Sequence, residues 1–147
     1  VTQSGPDAIR LTLDLGQQVG TVWRVLTGME HLPLWFGGHV FLDARPDGVF
    51  RETWRQDGRD IVTSGRITRF EPPSAIAWNW ADDDWSGETQ LLLTLQGTDT
   101  GTRLTLQHTG WATLHENKGD TLRKDHLAGW TMHLAKLEAY CWDLPVE

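Results

Sequence analysis

The chain has 147 residues, 39% of them hydrophobic and 22% charged, with a formal net charge of −7. That acidity excludes the basic footprint by which proteins hold nucleic acid or an anionic membrane, and no apolar run approaches the ~18 residues that a membrane span needs. The length fits one domain over residues 1–147, long enough to bury roughly 68–70% of its unfolded surface.

The N-terminal stretch VTQSGPDAIR has no apolar signal core, so a soluble, cytoplasmic chain is expected. Residues 7–15 alternate through Ile9, Leu11, Leu13 and Leu15, the pattern of a half-buried strand. In QQVGTVWRVLTG, Val19, Val22, Trp23 and Leu26 recur at helical spacing up to Gly28. MEHLPLWFG predicts a second short helix that breaks at Gly37-Gly38, with Pro33 tolerable only in a first turn.

From residue 39 to 110 the chain reads as short strands joined by turns: 39–43, 49–56, 60–70, 75–80, a strand around Leu91, Leu93 and Leu95, and 102–109. The turns are Arg45-Pro46-Asp47-Gly48, Asp57-Gly58, Glu71-Pro72-Pro73-Ser74 and Thr100-Gly101. Such spacing, with one polar side per strand, means an antiparallel meander.

The last long stretch, 120–142, places Leu127, Trp130, Leu134, Leu137 and Cys141 on one helical stripe. His126, His133 and Arg123 share that side, while Asp125, Met132 and Lys136 fall on the far side. Asp120 or Thr121 can cap the start, and Pro145 ends the helix. A one-sided sheet and an amphipathic helix must each bury a face. The expected fold is therefore α+β: a helix-grip arrangement, with a curved antiparallel β-sheet wrapped around a long C-terminal α-helix and two short helices after the first strand.

A grip leaves space between sheet and helix, and the sequence holds nine tryptophans to line or fill it. Strand parity aims Phe50, Glu52, Trp54, Trp78, Trp80 and His108 inward, and helix phase adds His126, Trp130 and His133, with Trp35 at one end. These ten residues form the candidate ligand site: indoles as walls, Glu52 and the histidines to orient a polar end or to act as acid and base. Arg66 or Arg103 is the expected neighbour of Glu52. Trp85 and Trp111 fall in turns, at a pocket mouth or on an exposed patch.

No metal or other cofactor is expected. His126 and His133 stand about 10 Å apart along a helix, too far to share one ion. His31, His39 and His115 lie at a helix end or in loops, and Asp82-Asp83-Asp84 reads as a solvated charge run in a turn. No GxSxG elbow or phosphate-binding loop occurs, and Cys141, on the packed stripe, reads as an inert small hydrophobe.

Several stretches then carry a resemblance: VWRVLT at 22–27, Trp35, GRITRFEP at 65–72 with Ile76 to Trp80, GTRLTLQHTG at 101–110, and Gly129-Trp130 with Leu134 and Leu137. Together they resemble the SRPBCC superfamily (START-like and Bet v 1-like folds), and within it the family related to the activator of the heat-shock protein 90 ATPase. The resemblance implies a helix-grip fold with an internal cavity. It implies no single activity, since the superfamily includes lipid carriers, polyketide cyclases and chaperone activators. The leading expectation is binding of a small hydrophobic or aromatic molecule. The alternatives are a cyclase, dehydratase or hydrolase using Glu52 and a histidine, and an interaction domain that modulates a chaperone ATPase. A homodimer stays open.

Overall fold

The computed structural model describes residues 2–5, 7–114 and 119–144; His115 and Pro145 lie outside them. In chain order the elements are β1 (Thr2–Gly5), β2 (Ala8–Leu15), α1 (Val19–Thr27), α2 (Leu32–Trp35), β3 (Val40–Leu42), β4 (Val49–Gln56), β5 (Arg59–Glu71), β6 (Ala75–Asp82), β7 (Thr89–Thr98), β8 (Gly101–Thr109), a 3-10 turn (Trp111–Thr113) and α3 (Gly119–Trp142). The strands form one antiparallel sheet in the order β1-β2-β8-β7-β6-β5-β4-β3. The sheet wraps around α3, with α1 and α2 at one end, as the helix-grip expectation requires.

β1 goes beyond the strands expected from the sequence, because TQSG has no alternation of apolar residues and its place is fixed by backbone pairing with β2. α2 is shorter than expected, with Pro33 in its first turn, where a missing N–H costs nothing. α3 begins one residue early, at Gly119, so Asp120 sits inside the first turn. There it holds Arg123 at 2.9 Å and Lys124 at 3.2 Å, an acid at the positive end of the helix dipole.

Hairpin register follows the turn chemistry. Asp57 (φ 53°) and Gly58 (φ 78°) both take the left-handed conformation that a two-residue turn between twisted strands demands, so Gln56 faces Arg59 and Glu52 faces Thr63. Between Ile67 and Arg69 the β5–β6 register shifts by a bulge, which adds local twist and bends the sheet around the helix. At this bend only glycine fits at position 65: a Cβ there would stand 1.7 Å from the Asn79 carbonyl oxygen.

One part of the core lies where β2, β8 and β7 meet α1 and the C-terminal half of α3. Ile9, Leu91, Leu104, Leu106, Val22, Val25, Leu134 and Leu137 are buried there. The void left between Leu26, Leu32, Leu93, Leu104, Leu106 and Leu134 is about 10 Å³, scarcely one water. No described helix is long and apolar enough to cross a membrane.

Candidate functional site

β4, β5 and β6 run on past the packed region, and here the first half of α3 does not close onto them. A cleft of about 400 Å³ remains, lined by Phe36, Glu52, Trp54, Thr63, Trp80, Asp82, Asp125, His126, Gly129, Trp130, Met132 and His133. Its floor is a row of cross-strand neighbours: Glu52 on β4, Thr63 on β5 and Asp82 on β6 lie side by side in the register. Inward parity brings Trp54 and Trp80 to the same face.

The floor is hydrogen-bonded as a relay. Trp54 Nε1–H donates to Thr63 Oγ1 at 3.0 Å, and the Thr63 hydroxyl donates to Asp82 Oδ1 at 2.5 Å. Asp82 is 8% exposed. Burial, with repulsion from Asp84, Glu52 and Asp83, outweighs the Thr63 bond and lifts its carboxyl from 3.8 to about 6. Burial also raises the Glu52 carboxyl, against the opposing pull of His39, whose Nε2 lies 2.7 Å from Oε2.

The opposite wall comes from α3. His126 Nδ1 donates to the Leu122 carbonyl at 2.8 Å, which leaves the lone pair on Nε2. His133 stacks on Phe36 with ring centroids 4.5 Å apart, and its Nδ1 is buried with no partner. Burial lowers both imidazoles, His133 to about 4, so each is neutral at pH 7. Phe36 meets Trp130 edge-on at 5.7 Å, and together they separate the cleft from the filled interior.

Of the ten residues expected at the site, Glu52, Trp54, Trp80, His126, Trp130 and His133 line the cleft. Trp35, Phe50 and Trp78 border the filled interior instead. Trp35 Nε1–H donates to the Val25 carbonyl at 2.9 Å, and Phe50 is sandwiched between Trp78 at 5.1 Å and Trp80 at 5.0 Å. His108 is 0% exposed behind Trp80 and Trp130. Its Nδ1 accepts from the Trp130 indole at 3.0 Å, so Nε2 carries the hydrogen and donates to Thr89 Oγ1 at 2.6 Å. Thr89 in turn donates to the Trp80 carbonyl at 2.9 Å. With both nitrogens satisfied and burial holding its pKa well below 6.5, His108 is a neutral strut.

Other expectations need correction. The partner of Glu52 is His39, not Arg66 or Arg103: Arg103 pairs with Asp14 at 2.8 Å on the outer face, and Arg66 belongs to the opposite parity. Asp82 is not solvated, because β6 continues through it and turns its side chain inward. Trp111 is 0% exposed, and Trp85, half-buried, packs on it at 5.8 Å, so neither forms an exposed patch. Asp125 and Met132 border the cleft because the open side of α3 is wider than its buried stripe. Among the described residues, no group of three His, Cys, Asp or Glu side chains is placed to hold a metal ion.

A family model described as activator of Hsp90 ATPase homolog 1-like protein matches residues 18–141. No curated protein matches the chain. Among solved structures, a Rhodobacter sphaeroides protein superposes with a TM-score of 0.79 at 21% identity, over 99% of this chain and 100% of that one. A Mesorhizobium loti protein gives 0.78 at 17% identity, over 95% and 99%. CalU16 from Micromonospora echinospora gives 0.67 at 25% identity, over 92% and 75%.

Proposed function

This chain belongs to the activator of Hsp90 ATPase homolog 1-like family, and from that premise we propose that it binds a small hydrophobic or aromatic molecule in the cleft between β4–β6 and α3. One observation carries the reading. Beside an interior packed to a void of about 10 Å³, a space of about 400 Å³ is kept open between sheet and helix and walled by Trp54, Trp80, Trp130, Phe36 and Met132. The grooves of about 370 and 500 Å³ along β4–β6, by contrast, are lined mainly by polar and charged side chains such as Arg51, Arg66, Arg69 and Asn79. The volume between sheet and helix lies in the usual range for small-molecule sites, and apolar walls with a few convergent polar groups are their usual make-up. Trp54 and Trp130 supply flat faces, while Glu52, Asp82, His126 and His133 orient the polar end.

The test is native mass spectrometry of freshly purified protein, followed by tryptophan fluorescence titration with a neutral aromatic probe, 2-naphthylmethanol. A co-purified small mass or saturable quenching supports the reading; neither in wild-type protein contradicts it.

A second reading is favoured by Asp82, whose carboxyl at about 6 could exchange protons near neutrality across the cleft from His126. It makes the cleft the site of acid–base catalysis, and requires a bell-shaped pH–rate profile that loses a limb in Asp82→Asn or Glu52→Gln. Modulation of a chaperone ATPase, the role in the family's description, has lost its expected surface, since Trp111 is buried and Trp85 packs against it.

A further inference from the structure

If the cleft is a small-molecule site, its charges specify the polar end of the occupant. Among the described residues, three carboxylates border it, Glu52, Asp82 and Asp125, and no lysine or arginine lines it. The basic groups nearby are engaged elsewhere: Arg59 with Asp84 at 3.0 Å, and Arg123 and Lys124 with Asp120. Lys136 acts on His133 from outside the lining. His39 is bonded to Glu52, and Asp82 has only the Thr63 hydroxyl, with acidic groups around it. His126 and His133, uncharged at neutral pH, offer lone pairs rather than positive charge.

Trp80 adds an independent observation. It lines the cleft at 4% exposure, and its Nε1 is buried with no hydrogen-bond partner among the described residues. Trp54 and Trp130, by contrast, have their N–H groups committed to Thr63 and His108. All three line the cleft, and an indole ring is an electron-rich body that attracts cations. Asp82, a carboxylate without a basic partner among the described residues, beside indole rings in a partly desolvated cleft, suits one ligand chemistry. A carboxylate-ended molecule such as a fatty acid would meet three like charges.

We propose that the cleft binds a hydrophobic organic cation, a protonated amine on an aromatic frame, with the ammonium between Asp82 and Glu52 and the frame against Trp54, Trp80 and Trp130. This rests on the cleft being a small-molecule site, and the test separates the two claims. Three probes on one frame are titrated by calorimetry at about pH 7.5: 2-naphthylmethylamine, 2-naphthylmethanol and naphthalene-2-carboxylate. The amine should bind about tenfold tighter than the alcohol, with the carboxylate weakest. In Asp82→Asn the amine-to-alcohol ratio should collapse toward about one. An alcohol that binds as well as the amine, or a ratio unmoved in Asp82→Asn, overturns the cation proposal while the cleft still stands as a site. Failure of all three probes to bind overturns both.

Discussion

Where α1, α2, β7, β8 and the middle of α3 meet, leucines and aromatic rings interdigitate and leave about 10 Å³; between β4–β6 and α3, about 400 Å³ stays open. Both regions use tryptophan and histidine, but to different ends. His108 spends both ring nitrogens on Trp130 and Thr89, whereas His133 keeps a buried Nδ1 with no partner. Phe50 is held between two indoles, whereas Trp54 is half-exposed. A ring is thus filler or wall according to whether the neighbouring elements close over it, not according to whether its N–H is paired: Trp54 is paired yet lines the cleft, and Trp78 is unpaired yet borders the filled interior. Phe36 and Trp130 belong to both regions and mark the boundary.

The comparison breaks most readily on stability. Leu106→Ala, in the filled region, should cost about 3 kcal/mol in urea unfolding, because a buried leucine leaves a cavity its neighbours cannot close. Trp54→Ala, at the cleft, should cost about 1–2 kcal/mol, less than the leucine because its ring is partly exposed and leaves no closed cavity. Equal losses would erase the distinction. His108→Ala should cost about 2–3 kcal/mol, since the Trp130 N–H stays buried without its acceptor. A neutral result there would show that His108 is not a strut.

Asp82 should behave in the opposite sense. Its folded pKa of about 6 stands above the unfolded 3.8, so the folded state binds the extra proton between these values. The stability this contributes is full below about pH 4 and is lost as pH rises through about 6. Asp82→Asn should therefore stabilise the protein at pH 7 to 8, on the order of 1–2 kcal/mol after solvent screening at the cleft, and by little near pH 4. Denaturant melts across that range check it; a uniform effect at every pH would contradict it. The smallest expected effect is at Gly129, where an added Cβ meets nothing within 4 Å. Gly129→Ala should raise stability by about 0.5–1 kcal/mol through helix propensity alone, read from the urea midpoint.

Much of this was legible in the sequence. The alternation in β2, β4 and β8 and the stripe Trp130, Leu134, Leu137, Cys141 gave the sheet, the helix and their facing sides. Two missed floor residues carried signals as well: the Asp57-Gly58 turn pairs Glu52 with Thr63, and the parity of Trp78 and Trp80 continues to Asp82. The acidic run hid that parity, because consecutive aspartates usually mark a solvated turn. Where the grip closes was not legible. Inward parity is the same for Phe50 and Trp54, and only the approach of α2 and α3 decides which is covered. The Arg45–Gly48 turn pairs β3 with β4, but His39 stands just outside β3 and reads as a loop residue, so its contact with Glu52 is not drawn from the sequence.

The central claim is that the open end of the grip is a binding site, and Gly129 offers the most direct test of it. Gly129 lies on the cleft wall with free space at its Cβ, so Gly129→Phe should fill the cleft without disturbing the packed region. Wild type and Gly129→Phe are titrated with 2-naphthylmethanol by tryptophan fluorescence, alongside thermal unfolding of each. Saturable binding in the wild type, weakened at least about tenfold in Gly129→Phe with no fall in melting temperature, is the predicted result. No saturable binding in the wild type, or equal binding in the two proteins, would contradict it.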